Sequence, residues 1–166
     1  MIYVEAPNEI AIKDRFPGRD PIRNCDHRPI LFIAGGISGC RNWQRELCDL
    51  IRDLDIIVVN PRRSEFEITS PSRAREQIKW EYRHLRMSDM ISFWFCKETL
   101  CPIVLYELGA WSMMDRPIFV GIEPGYQRRF DVEVQTELAC PETPIVYSIK
   151  DLARVIRNNV ADVYGI

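Results

Sequence analysis

Ser92-Phe-Trp-Phe-Cys-Lys-Glu-Thr-Leu-Cys-Pro-Ile-Val-Leu-Tyr-Glu-Leu-Gly-Ala-Trp111 decides the reading of this chain. Its first residues are apolar and aromatic, as in a buried strand. A short polar loop follows, and Pro102 is suited to the first position of a helix. Open α/β sheets place their ligands at strand-to-helix turns of this kind. Val104, Leu108 and Trp111 follow the i, i+4, i+7 spacing of a core-facing stripe, and Glu107 stands at i+3 of the same stripe. A carboxylate aimed at a sheet is costly unless it is paired, protonated or catalytic, so Glu107 is the leading functional residue.

Working outward from that stretch, the third strand of the series spans Met90 to Phe95 and the Glu107 helix runs on to about Met114. Upstream, Ile30-Leu-Phe-Ile-Ala34 is a continuous apolar run, the pattern of a parallel strand buried on both faces. Gly35-Gly36-Ile-Ser-Gly39 and an amphipathic helix over about 42–54 complete the opening of a βαβ unit, with Leu47, Leu50, Ile51 and Leu54 on one face. Asp55–Asn60 reads as the second strand, 64–72 as a polar loop and 73–88 as a helix. Pro117–Gly121 makes a fourth strand, a short helix is expected over 131–138, and Pro144–Tyr147 makes a fifth strand. Ser148 caps a last helix whose apolar side carries Leu152, Val155, Ile156 and Val160. Residues 1–29 read as an irregular arm broken by Pro7, Pro17, Pro21 and Pro29, with Met1–Val4 available as a short edge strand. Alternating β and α elements imply one α/β domain over 1–166, with about five parallel strands and helices on both faces.

Composition bounds the function. The 166 residues suit a single domain, and a net charge of −2 argues against a dedicated duplex-DNA binder. No apolar run approaches the roughly 18–20 residues that span a membrane. Glu5, Glu9 and Lys13 interrupt any secretory h-region, so a cytoplasmic location is the expectation. Six cysteines are present, but no C-x2-C pair occurs and His27 and His84 lie far apart. The spacing therefore predicts reduced thiols and no metal site.

Three further groups carry chemistry. Gly35-Gly36-x-x-Gly39 lacks the G-x-G-x-x-G dinucleotide pattern, yet it permits close backbone approach of a ligand, or forms a tight turn with none. Asn60-Pro61-Arg62-Arg63 ends the second strand on the same rim, where arginine forks suit a phosphate or pair with neighbouring acids. In the helix before the aromatic strand, Ile78, Tyr82 and Leu85 form a predicted core stripe with Glu81 at its i+3 position. Two carboxylates beside one strand, with pKa values pushed apart, are what cleavage of a glycosidic bond requires. The bland alternative pairs either glutamate with an arginine such as Arg83, Arg86 or Arg116. Among Phe93, Trp94 and Phe95, strand alternation sends Trp94 to the opposite side, and a ring here could stack on a planar base.

Ala34-Gly35-Gly36, the Asp89-x-x-x-Phe-Trp-Phe strand and Tyr106-Glu107-Leu-Gly-Ala110 resemble the nucleoside 2-deoxyribosyltransferase family, in its divergent 2-deoxyribosyltransferase-like branch. Gly-Gly-Ile, Asn-Pro-Arg-Arg, Ile-Lys-Trp-Glu and Glu-Thr-Leu-Cys-Pro-Ile extend the likeness over most of 29–139. The resemblance implies a flavodoxin-like, Rossmann-like three-layer fold and transfer of 2-deoxyribose between nucleobases through a covalent glycosyl-enzyme. It makes Glu107 the nucleophile and puts Glu81, eight residues before Asp89, where the family keeps the acid that protonates the departing base. Substrate contacts are then expected from Gly35, Gly36, Ile37, Asn60, Arg62, Asp89, Trp94, Thr99, Cys101, Arg129, Asp131 and Gln135. Phe32 stands where the classical enzymes of the family carry a tyrosine, and Cys101 where they carry an aspartate, so the resemblance implies that sugar recognition departs from theirs. Arg62, Arg63, Arg128 and Arg129 would fit a 5′-phosphate. The partners implied are a nucleoside or nucleotide and a free nucleobase, in a homo-oligomer, with no cofactor, metal, nucleic-acid polymer or membrane. Two alternatives stand beside this: a nucleotide-binding sensor without chemistry, and a hydrolase of NAD or a modified nucleotide.

Overall fold

The structure, a computed structural model, describes residues 1–11, 15, 27–63 and 70–166. Six strands form one parallel sheet: β1 (Ile2–Glu5), β2 (Ile30–Gly35), β3 (Ile57–Asn60), β4 (Met90–Phe95), β5 (Ile118–Ile122) and β6 (Ile145–Val146). Their order across the sheet is β1-β3-β2-β4-β5-β6. The described helices are α1 (Trp43–Ile51), α2 (Pro71–Met87), α3 (Pro102–Trp111), α4 (Arg129–Ala139) and α5 (Ile149–Tyr164).

The sheet has one strand more than the five expected. Met1–Val4, read as an optional edge strand, is continuous with β1, which pairs parallel to β3 from Ile2↔Ile57 to Glu5↔Asn60. Without β1, the order β3-β2-β4-β5-β6 is the doubly wound flavodoxin-like arrangement. The arm's segments 12–14 and 16–26, and residues 64–69 of the expected polar loop, lie outside the described residues.

Every residue of β2 and β4 is buried, because these central strands are covered on both faces. Alternation along them supplies two cores. Phe32, Phe93 and Phe95 meet Trp80 of α2, Val104, Leu108 and Trp111 of α3 and Val132 of α4. Leu31, Ile33 and Trp94 meet Trp43, Leu47 and Ile51 of α1 and Leu152, Ile156 and Val160 of α5. The stripe expected for the α3 helix is thus the observed one, and Ser148 caps α5 by accepting from the Asp151 amide at 3.1 Å. The helix expected over 131–138 begins earlier, at Arg129.

The stripe expected for α2 is wrong. Ile78 and Tyr82 are 65% and 56% exposed, and the buried residues are Gln77, Trp80, His84 and Leu85. Trp80 takes the inward position because its larger ring covers Phe32 at 6.5 Å, stacks on His84 at 4.0 Å and donates from Nε1 to the Asn8 carbonyl at 2.9 Å. Glu81 keeps a half-buried position on the rotated face, one turn from Gln77.

The chain leaves β2 toward β3 on one side and later returns to β4 on the other. The carboxyl ends of β2 and β4 therefore flank the switch point, where open sheets leave a crevice.

Candidate functional site

Two loops and two helices meet at that crevice. After β2 the chain turns through Gly35 and Gly36. A Cβ on Gly35 would lie 2.3 Å from the Trp43 ring and 2.7 Å from the Trp94 carbonyl, so the strand can approach α1 only with glycine there. The Gly36 carbonyl accepts from Trp43 Nε1 at 2.8 Å and from Gln44 Nε2 at 3.2 Å, which fixes the turn. After β4, Cys101 adopts a left-handed conformation (φ 48°) and Pro102 opens α3. That reversal aims the first two turns of α3 back across the ends of the strands.

A cavity of about 240 Å³ lies there, lined by Ala34, Gly35, Ile37, Ser38, Pro61, Glu81, Thr99, Cys101, Pro102, Ile103, Val104 and Glu107. Glu107 reaches it from α3 and Glu81 from α2. Burial, and then the charge of Glu81, push the Glu107 carboxyl up from its ordinary 4.5 to about 8. Among the described residues nothing hydrogen-bonds to the Glu107 carboxyl. Burial also raises Glu81, but Gln77 and the nearby Arg63 charge oppose the rise. Gln77 donates from Nε2 to Glu81 Oε1 at 2.7 Å and to the Pro61 carbonyl at 3.0 Å. Burial thus favours the protonated form of Glu107, and Gln77 and Arg63 temper the same tendency at Glu81.

Of the sequence-derived candidates, Gly35, Ile37, Glu81, Thr99, Cys101 and Glu107 line this cavity. Gly36 is adjacent but faces three thiols instead. Asn60 and Arg62 brace the rim. Asn60 donates to the Tyr3 hydroxyl at 2.6 Å and accepts from the Arg62 amide, while the Arg62 guanidinium binds the carbonyls of Cys40 and Arg41 and Gln44 Oε1. Asp89 sits at the amino end of β4, the far end of the strand from the crevice, where it receives Arg15 and the Ile30 amide. Trp94 packs on Trp43 at 6.3 Å beneath α1, on the opposite face of the sheet from the carboxylates. Arg129 is held by Glu133 and the Tyr147 ring. Asp131 and Gln135 line a separate cavity between α3 and α4.

Sequence reading missed two features. Gln77 stands four residues before Glu81, a spacing that puts it on the same helix face, and this was the available signal. Cys40, Cys96 and Cys101 come together around Gly36; the C-x4-C spacing of Cys96 and Cys101 was the available signal.

Residues 28–126, more than half of the chain, match the family profile described as nucleoside 2-deoxyribosyltransferase like. The chain belongs to this family. Glu81 and Glu107 both fall inside the matched stretch of this nucleoside 2-deoxyribosyltransferase-like protein, whereas Arg129, Asp131 and Gln135 fall beyond it. A search of curated proteins found no match. Among solved structures, a conserved protein from Enterococcus faecalis V583 superposes with a TM-score of 0.61 at 14% identity, over 80% of this chain and 99% of that one. At that identity the likeness is one of fold. No helix among the described residues is long and apolar enough to cross a membrane.

Proposed function

We propose that the protein cleaves the N-glycosidic bond of a 2′-deoxynucleoside and passes the deoxyribosyl group, through an ester on Glu107, to a second nucleobase or to water. The observation that carries this reading is the pair of carboxyls from α2 and α3 in one cavity at the switch point of a family fold. A Glu107 carboxylate oxygen attacks C1′, and the C1′–N electron pair leaves with the base as Glu81 donates its proton to it. A second base nitrogen, or water, then attacks C1′ from the opposite side while Glu81 recovers a proton and Glu107 departs as carboxylate. Two inversions give net retention.

The reacting form needs Glu81 protonated and Glu107 ionised, against the burial that favours a proton on Glu107. A base nitrogen placed to accept from Glu81 stabilises that form, so substrate entry itself shifts the proton.

A neutral nucleoside fits better than a 5′-monophosphate. No arginine or lysine is among the cavity's described lining residues, Arg62 and Arg129 are engaged elsewhere, and the nearby Arg63 charge acts on Glu81. The cavity is smaller than the roughly 300–1,000 Å³ of drug-sized sites, which suits a nucleoside or a pocket finished by a neighbouring subunit. Ile78 and Tyr82 on α2 and Ile103 and Tyr106 on α3 are exposed, and Ile103 also lines the cavity, which supports a homo-oligomer.

The test mixes a deoxynucleoside with a different free base and follows both by chromatography, with wild type and Glu107→Gln side by side. A new nucleoside or free base formed by wild type alone supports the reading. Full activity in Glu107→Gln would sink the mechanism, and tight nucleoside binding by calorimetry without turnover across a broad panel would favour a binding module.

A further inference from the structure

Cys40 closes the glycine turn, Cys96 follows β4 and Cys101 begins α3. The fold brings these three distant thiols to one point. A Cβ built on Gly36 would lie 2.6, 2.9 and 3.1 Å from their three Sγ atoms in turn, so the missing side chain of Gly36 is what lets them converge. The Cys40 and Cys96 sulfurs and a Glu98 carboxylate oxygen all lie within 4.8 Å of one another. Cys40, Cys96 and Cys101 are buried, and Glu98 is exposed beside them.

We propose that Cys40, Cys96, Cys101 and Glu98 form a zinc site, with three thiolates and one carboxylate oxygen in a tetrahedron. Zinc–sulfur bonds of about 2.3 Å set the sulfurs of such a tetrahedron about 3.8 Å apart. The Cys40, Cys96 and Glu98 atoms, within 4.8 Å of one another, need only a modest contraction to meet that, and the Cys101 sulfur, beside the same Gly36 position, swings in to complete the set. Three thiolates select a soft or borderline ion over magnesium or calcium, and the carboxylate favours zinc over a purely thiolate-bound copper(I). Binding releases the three thiol protons to solvent. With all four positions supplied by the chain, no open position is left for substrate, and the role is structural. The ion would tie the glycine turn, the end of β4 and the start of α3 together, and Cys101 is shared with the wall of the carboxylate cavity. The cobalt readout of the site does not depend on the reaction proposed for that cavity.

The full chain, reduced and stripped by a chelator, is titrated with cobalt(II) as the spectroscopic probe and then with zinc. The expected result is one cobalt per chain, with thiolate-to-cobalt charge-transfer absorption and intense tetrahedral d–d bands, both erased by one equivalent of zinc. Cys96→Ser weakens cobalt binding at least tenfold and lowers the charge-transfer absorption, whereas Cys48→Ser and Cys140→Ser match wild type. Should Cys96→Ser fail to fold, the wild type still decides. Zinc must slow maleimide alkylation of Cys40 and Cys101 at least tenfold, as read by peptide mass spectrometry. Absence of charge-transfer absorption with stoichiometric cobalt, wild-type intensity and affinity in folded Cys96→Ser, or unchanged alkylation rates would each overturn the proposal.

Discussion

Glu81 and Glu107 bring their carboxyls into one pocket from neighbouring helices, and the charge on Glu81 adds to burial in keeping a proton on Glu107. Groups that interact in this way titrate as a pair. The form able to break the glycosidic bond carries one proton between them. Activity followed as kcat/KM should therefore be bell-shaped. Its alkaline limb should fall near pH 8, where the pair loses its last proton. Its acid limb marks the second protonation. Glu81→Gln removes the neighbouring charge, so Glu107 should titrate at lower pH, visible by carbon-13 NMR of the labelled side chain. Turnover should drop on the order of 10²–10⁴-fold with loss of the acid. An unchanged Glu107 titration in that variant would show that the two carboxyls are not coupled.

The same raised value fixes how Glu107 affects stability. Its folded pKa exceeds the ordinary 4.5, so as pH rises the unfolded chain releases this proton before the folded one does. The group costs nothing below about 4.5, and the penalty grows until pH passes about 8. Glu107→Gln copies the neutral form. It should raise the melting temperature at pH 8–9, by the equivalent of on the order of a few kcal/mol, and leave it unchanged at pH 4. Equal melting curves for variant and wild type across this range would contradict the buried, uncompensated carboxyl.

Gln77 is a positioning residue, since it holds Glu81 at 2.7 Å and anchors itself on the Pro61 carbonyl. Its hydrogen bond opposes the rise in the Glu81 value. Gln77→Leu should therefore move the pH–rate profile to higher pH as well as lower kcat. A merely structural role would lower activity equally at every pH, so the profile separates the two.

How much of this was legible in the sequence depends on whether a feature is local. Glu107 was, because Val104, Leu108 and Trp111 are a regular stripe on one short helix and mark it as a carboxylate on the core-facing side. In α2 the apolar residues Ile78 and Tyr82 drew the stripe to the wrong side, since hydropathy alone does not say that Trp80 must cover Phe32. Glu81 was found nonetheless, because its position borders either choice of face. The rim arginines misled for a different reason. A side chain's reach is visible in sequence, but the carbonyls of Cys40 and Arg41 that occupy Arg62 come from another turn. The thiol cluster was only partly visible, because Cys40 joins it through β2 and β4 lying side by side, with Gly35 opposite Trp94.

Asp89 shows how a motif residue can serve the frame rather than the site. Its carboxylate takes Arg15 at 2.6 and 3.1 Å and the Ile30 amide at 2.8 Å, at the amino end of β4. Burial penalises its charge, but Arg15 and the amide outweigh that and hold the carboxyl below its ordinary 3.8. The stabilisation is present above that ordinary value and is lost as pH falls through the lower folded value. Asp89→Asn should cost about 2–4 kcal/mol at neutral pH, because it removes the negative charge that Arg15 and the Ile30 amide bind. It should also flatten the acid side of the stability curve, measured by denaturant unfolding at several pH values. A substrate contact at Asp89 would instead raise KM and leave the unfolding midpoint near that of wild type. Unfolding and kinetics on the same preparation therefore separate a brace at the sheet's amino end from a ligand-binding residue.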